Sequence, residues 1–180
     1  MRMPRANPAA RRTAAFAVLV LLFTGCAAGP SPRAWAAAVC TALTPWQSEI
    51  SSLARSTEQQ MTAQTTPAQA KENLVRLLGG AEAATETARR KVAAAGVPDV
   101  EQGEAVARGF VTALAAVRDA YGRAKRTVEG LSTGEASAFY DGVEAAMNVL
   151  SAEYDASALD TSNLNSPELK RAFDEVPECR

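Results

Sequence analysis

From Trp35 to Phe173 the large apolar side chains of this chain recur every three or four residues. No stretch alternates apolar and polar in the way a half-buried strand requires, so the period is that of amphipathic helices. Trp35, Val39, Leu43, Trp46, Ile50 and Leu53 fall on one face of a first helix. Pro45 interrupts that face without shifting its phase. One long helix kinked at Pro45 fits, and so does a new helix begun at Thr44-Pro45. Thr66-Pro67-Ala68-Gln69 is a start signal for a second helix over Pro67 to about Ala95, with Leu74, Leu77 or Leu78, Ala81, Thr85, Ala88, Val92 and Ala95 on its stripe. Gly96-Val97-Pro98 stops it. A third helix follows from Asp99 to about Glu129, carrying Val106, Phe110, Leu114, Val117, Tyr121, Ala124 and Val128. Ser132-Thr133-Gly134-Glu135 reads as a capping box for a fourth, striped by Phe139, Val143, Met147, Leu150 and Tyr154. After a polar, turn-like stretch to Asn165, Ser166-Pro167 opens a short last helix with Leu169 and Phe173. Four long helices joined by short breaks predict an all-α fold, an up-down-up-down four-helix bundle with a short C-terminal helix.

The N-terminus has a different character. Residues 1–48 contain no Asp or Glu, and Arg2, Arg5, Arg11 and Arg12 precede the apolar run from Ala14 to Phe23. That run is too short to span about 30 Å of hydrocarbon at 1.5 Å per residue. A basic start, a short apolar stretch and then small residues form a secretory leader. Leu22-Phe23-Thr24-Gly25-Cys26 resembles the bacterial lipobox, in which the cysteine is lipidated and becomes the mature N-terminus. The expected organisation is therefore a lipoprotein leader over 1–25, a short tether over 26–32 and a helical domain over 33–180. The expected location is the extracytoplasmic face of the cell membrane, with the lipid as anchor.

With Cys26 committed to lipid, Cys40 and Cys179 remain, an even pair in an oxidising compartment, and a disulfide between them is expected. It would close nearly the whole mature domain.

Composition bears on function mainly by exclusion. The chain has no histidine, which removes Ser-His-Asp and Cys-His catalysis and His-ligated metal sites. With 19 basic and 20 acidic residues it has no cationic excess for neutralising phosphates, so nucleic acid is not an expected partner. Cleavage before Cys26 removes four of the basic residues and none of the acidic ones, leaving a net charge of −5. The carboxylate clusters Glu101/Glu104 and Asp174/Glu175/Glu178 fall at helix ends on solvated faces. The helix dipole accounts for the first of them. Gly79-Gly80 lacks the lysine of a phosphate loop, and no cofactor is expected.

Two features suit a binding surface. Arg118, Arg123, Lys125 and Arg126 lie late in the third helix, where cations also complement the helix dipole. Trp35 and Trp46 belong to the first stripe and read first as core residues; an exposed aromatic contact at Trp46 is the alternative.

The lipobox, Trp35-x-x-x-Val39-Cys40-x-x-Leu43-x-Pro45-Trp46 and the terminal Phe173…Pro177-x-Cys179 together resemble the small helical lipoproteins of actinobacteria. That resemblance implies an envelope location and supplies no activity. The expectation is a non-enzymatic binding module for an envelope protein or polymer. A carrier or sensor of a small apolar ligand held between the helices is the alternative.

Overall fold

The computed structural model describes residues 29–157 and 166–180. The leader, the lipidation site at Cys26 and the polar stretch 158–165 lie outside these residues. Ser31 opens α1 (Pro32–Gln60): its hydroxyl accepts a hydrogen bond from the Ala34 N–H at 3.3 Å, and proline occupies the first helical position. The helix runs unbroken through Pro45. Proline removes one backbone donor there, yet Val39, Ala42 and Trp46 are buried on either side of it, and that shared face keeps the two halves in register.

Thr66 starts α2 (Pro67–Ala94) with a full capping box, its hydroxyl accepting from the Gln69 N–H while the Gln69 side chain accepts from the Thr66 N–H. The third helix, α3 (Gly103–Gly130), begins four residues later than expected. Gln102 adopts a left-handed conformation (φ 61°), and Gly103 lies so close to the Pro98 carbonyl that a side chain there would collide with it. Asp99–Gln102 is consequently a turn. The expected capping box before α4 (Ala136–Ala156) does not form. Glu135 is the N-cap and accepts from the Ser137 N–H, while the Ser132 hydroxyl accepts from the Gly134 N–H and closes a local turn instead. Ser166 caps α5 (Pro167–Glu175), and a 3₁₀ turn over Pro177–Cys179 completes the chain. Among the described residues the fold is entirely helical.

Cross-contacts give the direction of packing. Trp35, Trp46 and Gln60 of α1 bond to Gly96, Thr85 and Arg76 respectively, so α1 and α2 are antiparallel. Lys71 and Glu86 of α2 meet Leu131 and Arg118, which makes α3 antiparallel to α2. Close helix approach is helped by Gly80, where an added Cβ would lie 2.9 Å from the Leu53 side chain.

The core has two centres. At one end Trp35, Val39, Trp46, Val92, Phe110, Leu114, Val117 and Leu169 form a continuous cluster. Trp35 meets Phe110 and Phe173 edge-on at 5.4 and 6.0 Å between ring centroids, which fastens α5 across α1 and α3. At the other end Leu74, Leu78, Ala124, Val128 and Ala146 join α2, α3 and α4. Cys40 and Cys179 are disulfide-bonded with their Cα atoms 5.1 Å apart, as the cysteine count suggests. The bond holds the C-terminus on α1, and the Thr44 hydroxyl donating to the Glu178 carbonyl holds the same contact.

One side departs from a closed four-helix arrangement. α4 packs on α3 and touches α2, while α1 is covered by α2 and by the C-terminal α5 with its 3₁₀ turn. No comparable packing joins α1 to α4 among the described residues.

Candidate functional site

The stripes on α1 and α4 carry most of the large apolar side chains of those helices. The structure buries only part of them. Beyond Trp46 no residue of α1 is fully buried, and Ile50 and Leu53 remain half-exposed. On α4 only Phe139 and Ala146 are buried, while Met147 and Leu150 are intermediate and Tyr154 is 38% exposed. These incompletely covered faces look at each other across the open side. The cleft between them has a volume of about 590 Å³ and opens to solvent. Ile50 and the Trp46 edge form one wall, Met147, Leu150 and Tyr154 the other, and Tyr121 of α3 lies between. Gln47, Ser51 and Ser151 supply polar groups at the mouth.

Burial raises the pKa of the Tyr121 phenol, with the nearby Tyr154 adding to the effect; burial and then Asp155 do the same to Tyr154. Both phenols therefore remain neutral hydrogen-bond donors at physiological pH. The cleft is apolar with a few hydroxyl groups, and no charged residue lines it. That composition suits recognition of an apolar surface and offers no nucleophile–base pair.

Trp46 is a core residue, as its place on the α1 stripe suggests, and not the exposed contact of the alternative reading. It is only 5% exposed, and its indole N–H donates to the Thr85 hydroxyl at 2.9 Å. Thr85 in turn donates to the Ala81 carbonyl, which satisfies this buried polar pair. Trp46 thus forms part of the cleft wall with its polar atom turned inward.

The basic residues of α3 are drawn into ion pairs. Arg118 binds Glu86 at 2.8 Å and Asp119 at 2.7 Å, Arg123 binds Glu153 at 3.0 Å, and Lys125 lies 3.9 Å from Glu82. Arg126 lies near Glu82 across Gly122. These contacts join α2, α3 and α4 and neutralise most of the charge a free basic patch would present. Their spacing is legible in the sequence; their partners other than Asp119, which lie 30 or more residues away, are not.

Glu86 is the hub, receiving Arg89, Arg90 and Arg118. Hydrogen bonds from Arg89 and then Arg118 hold its carboxyl down at about 2, against the opposing effect of burial. The folded value lies below the ordinary one near 4.5, so the stabilisation is fully present above pH 4.5 and fades as pH falls toward 2. Glu86→Gln is expected to flatten the acid limb of the stability profile across that window. Urea melts at pH 7 and pH 3 check this: the difference between variant and parent should shrink at the lower pH.

Among the described residues no group of three or more Cys, Asp or Glu is placed to hold a metal ion. No helix among them is long and apolar enough to cross a membrane. Compared with family models, curated proteins and solved structures, the chain matches none.

The lining residues Ser51 and Ser151 were not singled out from the sequence, and Tyr121 was read only as part of the α3 stripe, although one signal was present. α4 has 21 residues against 29 in α1, too few to cover the longer helix along its length.

Proposed function

We propose that the chain is a lipid-anchored, extracytoplasmic binding module of the cell envelope, built as an up-down-up-down bundle left open between α1 and α4. Its recognition surface is the α1–α4 cleft. The observation that carries this reading is that two apolar stripes of helical period face one another and each is only partly covered. Unpartnered apolar surface rimmed by polar residues is characteristic of an interaction site. The tether runs from Cys26, whose lipid is the membrane attachment.

The occupant is a protein segment, an amphipathic helix with a basic flank. α4 carries Asp141, Glu144 and Asp155, besides the Glu153 that pairs with Arg123, and no Lys or Arg. Such a helix repels anionic envelope polymers and attracts a cationic partner. A helix laid in the cleft would occupy the gap between α1 and α4 and supply apolar contacts to both. The titrating groups with shifted values support binding rather than catalysis: Glu86 and Glu168 move down, Tyr121 and Tyr154 up, and Arg89 and Arg118 up. Each moves away from neutrality, the opposite of what general acid–base work requires.

The volume of about 590 Å³ favours a second reading, a carrier of a small apolar ligand, since it lies in the range of ligand pockets. The open side weighs against it, because a carrier must enclose most of its cargo. Photo-cross-linking in intact cells separates the readings. A photoreactive residue at Ser51 or Ser151 is expected to give one discrete protein adduct, absent when the residue is placed at Arg90. Leu150→Glu should reduce the adduct at least tenfold in protein that circular dichroism shows to be folded at the assay temperature. An adduct that forms equally from Arg90, or survives Leu150→Glu, would reject the cleft.

A further inference from the structure

The residues that lead into α1 are pinned to the α2–α3 turn. The Pro30 carbonyl accepts a hydrogen bond from the Asp99 N–H at 2.9 Å. Gly29 approaches the Val97 carbonyl so closely that no side chain fits at this position. Four residues into α1, the Trp35 indole N–H donates to the Gly96 carbonyl at 2.9 Å. The start of the folded chain and the Gly96–Gln102 turn are therefore one structural unit at one end of the bundle.

Only Ala27 and Ala28 separate Cys26 from Gly29. Three residue steps span at most about 10 Å even when fully extended. The helices from that end are long by comparison: α2 and α3 have 28 residues each, about 42 Å at 1.5 Å per residue. A lipid on Cys26 can thus reach the bilayer only with the Gly96–Gln102 end nearby.

We infer that the domain stands end-on, with the Gly96–Gln102 turn at the membrane and the α1–α2 connection around Gln64 farthest from it. This rests on the lipid-anchor reading above. Asp99, Glu101 and Glu104 at the membrane end keep it from inserting among anionic head groups. The orientation also bears on the partner. The α1 wall of the cleft, Trp46 to Ser51, begins 14 residues beyond Pro32, which places it about 20–30 Å from the membrane end. Acyl chains in the leaflet cannot reach it, so the cleft faces a partner outside the bilayer.

The test uses the full-length chain matured in cells, purified and placed in vesicles whose lipids carry a head-group nitroxide. An environment-sensitive fluorophore is attached to a single added cysteine, by Val97→Cys or by Gln64→Cys. Val97 is 43% exposed and Gln64 is exposed, so both accept label. Quenching at position 97 is expected to exceed that at position 64 several-fold. Twelve Gly/Ser residues inserted after Ala28 should bring the two values together. Equal quenching with the short tether, on protein whose mass and N-terminus show lipid at Cys26, would overturn the end-on orientation and leave the anchor intact. Unchanged quenching at 97 with the long tether would likewise overturn it, since the tether would then not be its cause. A mature N-terminus elsewhere, without lipid, would remove the anchor and the orientation together.

Discussion

The Cys40→Ser, Cys179→Ser double variant is expected to lose about 5 kcal/mol of unfolding free energy, the value the chain-entropy relation gives for a bridge between cysteines 139 residues apart. The bridge excludes the most expanded conformations of the unfolded chain, and its effect grows with the logarithm of the loop it closes. A domain of this size has a total stability of about 5–15 kcal/mol, so the loss takes a third of it or more. The folded state also changes locally. α5 has nine residues and depends on packing through Leu169, Ala172 and Phe173. An isolated helix that short is marginal in water, so without the bridge it should exchange its amides faster than α2 and α3. Urea unfolding of the oxidised parent and the double variant, with hydrogen exchange on both, checks the two statements. A midpoint unchanged within error would show that the bridge contributes nothing.

Trp35→Ala is expected to cost about 3–5 kcal/mol, the range for removing a buried tryptophan. Trp35 is fully buried and touches Phe110 and Phe173, which themselves stack at 6.1 Å. Deleting it opens a void shared by α1, α3 and α5 and leaves the Gly96 carbonyl without its indole donor. Trp35→Phe separates the two effects: it keeps most of the aromatic volume and loses the hydrogen bond, and about 1–2 kcal/mol is expected. Thermal and urea melts of the three proteins give the comparison. Equal losses for alanine and phenylalanine would mean that the hydrogen bond, and not the packing, is what Trp35 provides.

Helix boundaries were legible wherever the signal was local and uncontested. Thr66 and Gln69 form the expected capping box because both partners lie within one turn of chain. Ser132 had a competing local acceptor role, and the turn it makes with Gly134 displaced the expected cap. Pro45 left two readings because its own backbone could not choose between them. Burial of Ala42 and Trp46 on a common face chose the single helix. The candidate site was less legible. Trp46 left two readings, core or exposed contact; its indole N–H, bonded to Thr85 across the α1–α2 interface 39 residues away, belongs to the buried one. The Arg118–Arg126 cluster was visible as charge, but apart from Asp119 the carboxylates that pair with it lie on two other helices.

The sequence alone determined that the described residues form helices and no strand, the places where those helices begin and end to within a few residues, and the even cysteine pair that bridges Cys40 to Cys179. These rest on 3.6-residue periodicity, on caps, and on counting, which are properties of short segments or of composition. The tertiary structure decided which apolar faces are covered. A stripe on α4 has the same period whether it lies against α1 or away from it, and the outcome depends on helix lengths and on what already occupies α1. There α5 and the disulfide hold the N-terminal half, and α4 packs on α3. The cleft, the pairing of the α3 cations and the docking of Gly29-Pro30 on the α2–α3 turn all arise from contacts between residues far apart in the chain, and for that reason no local pattern announces them.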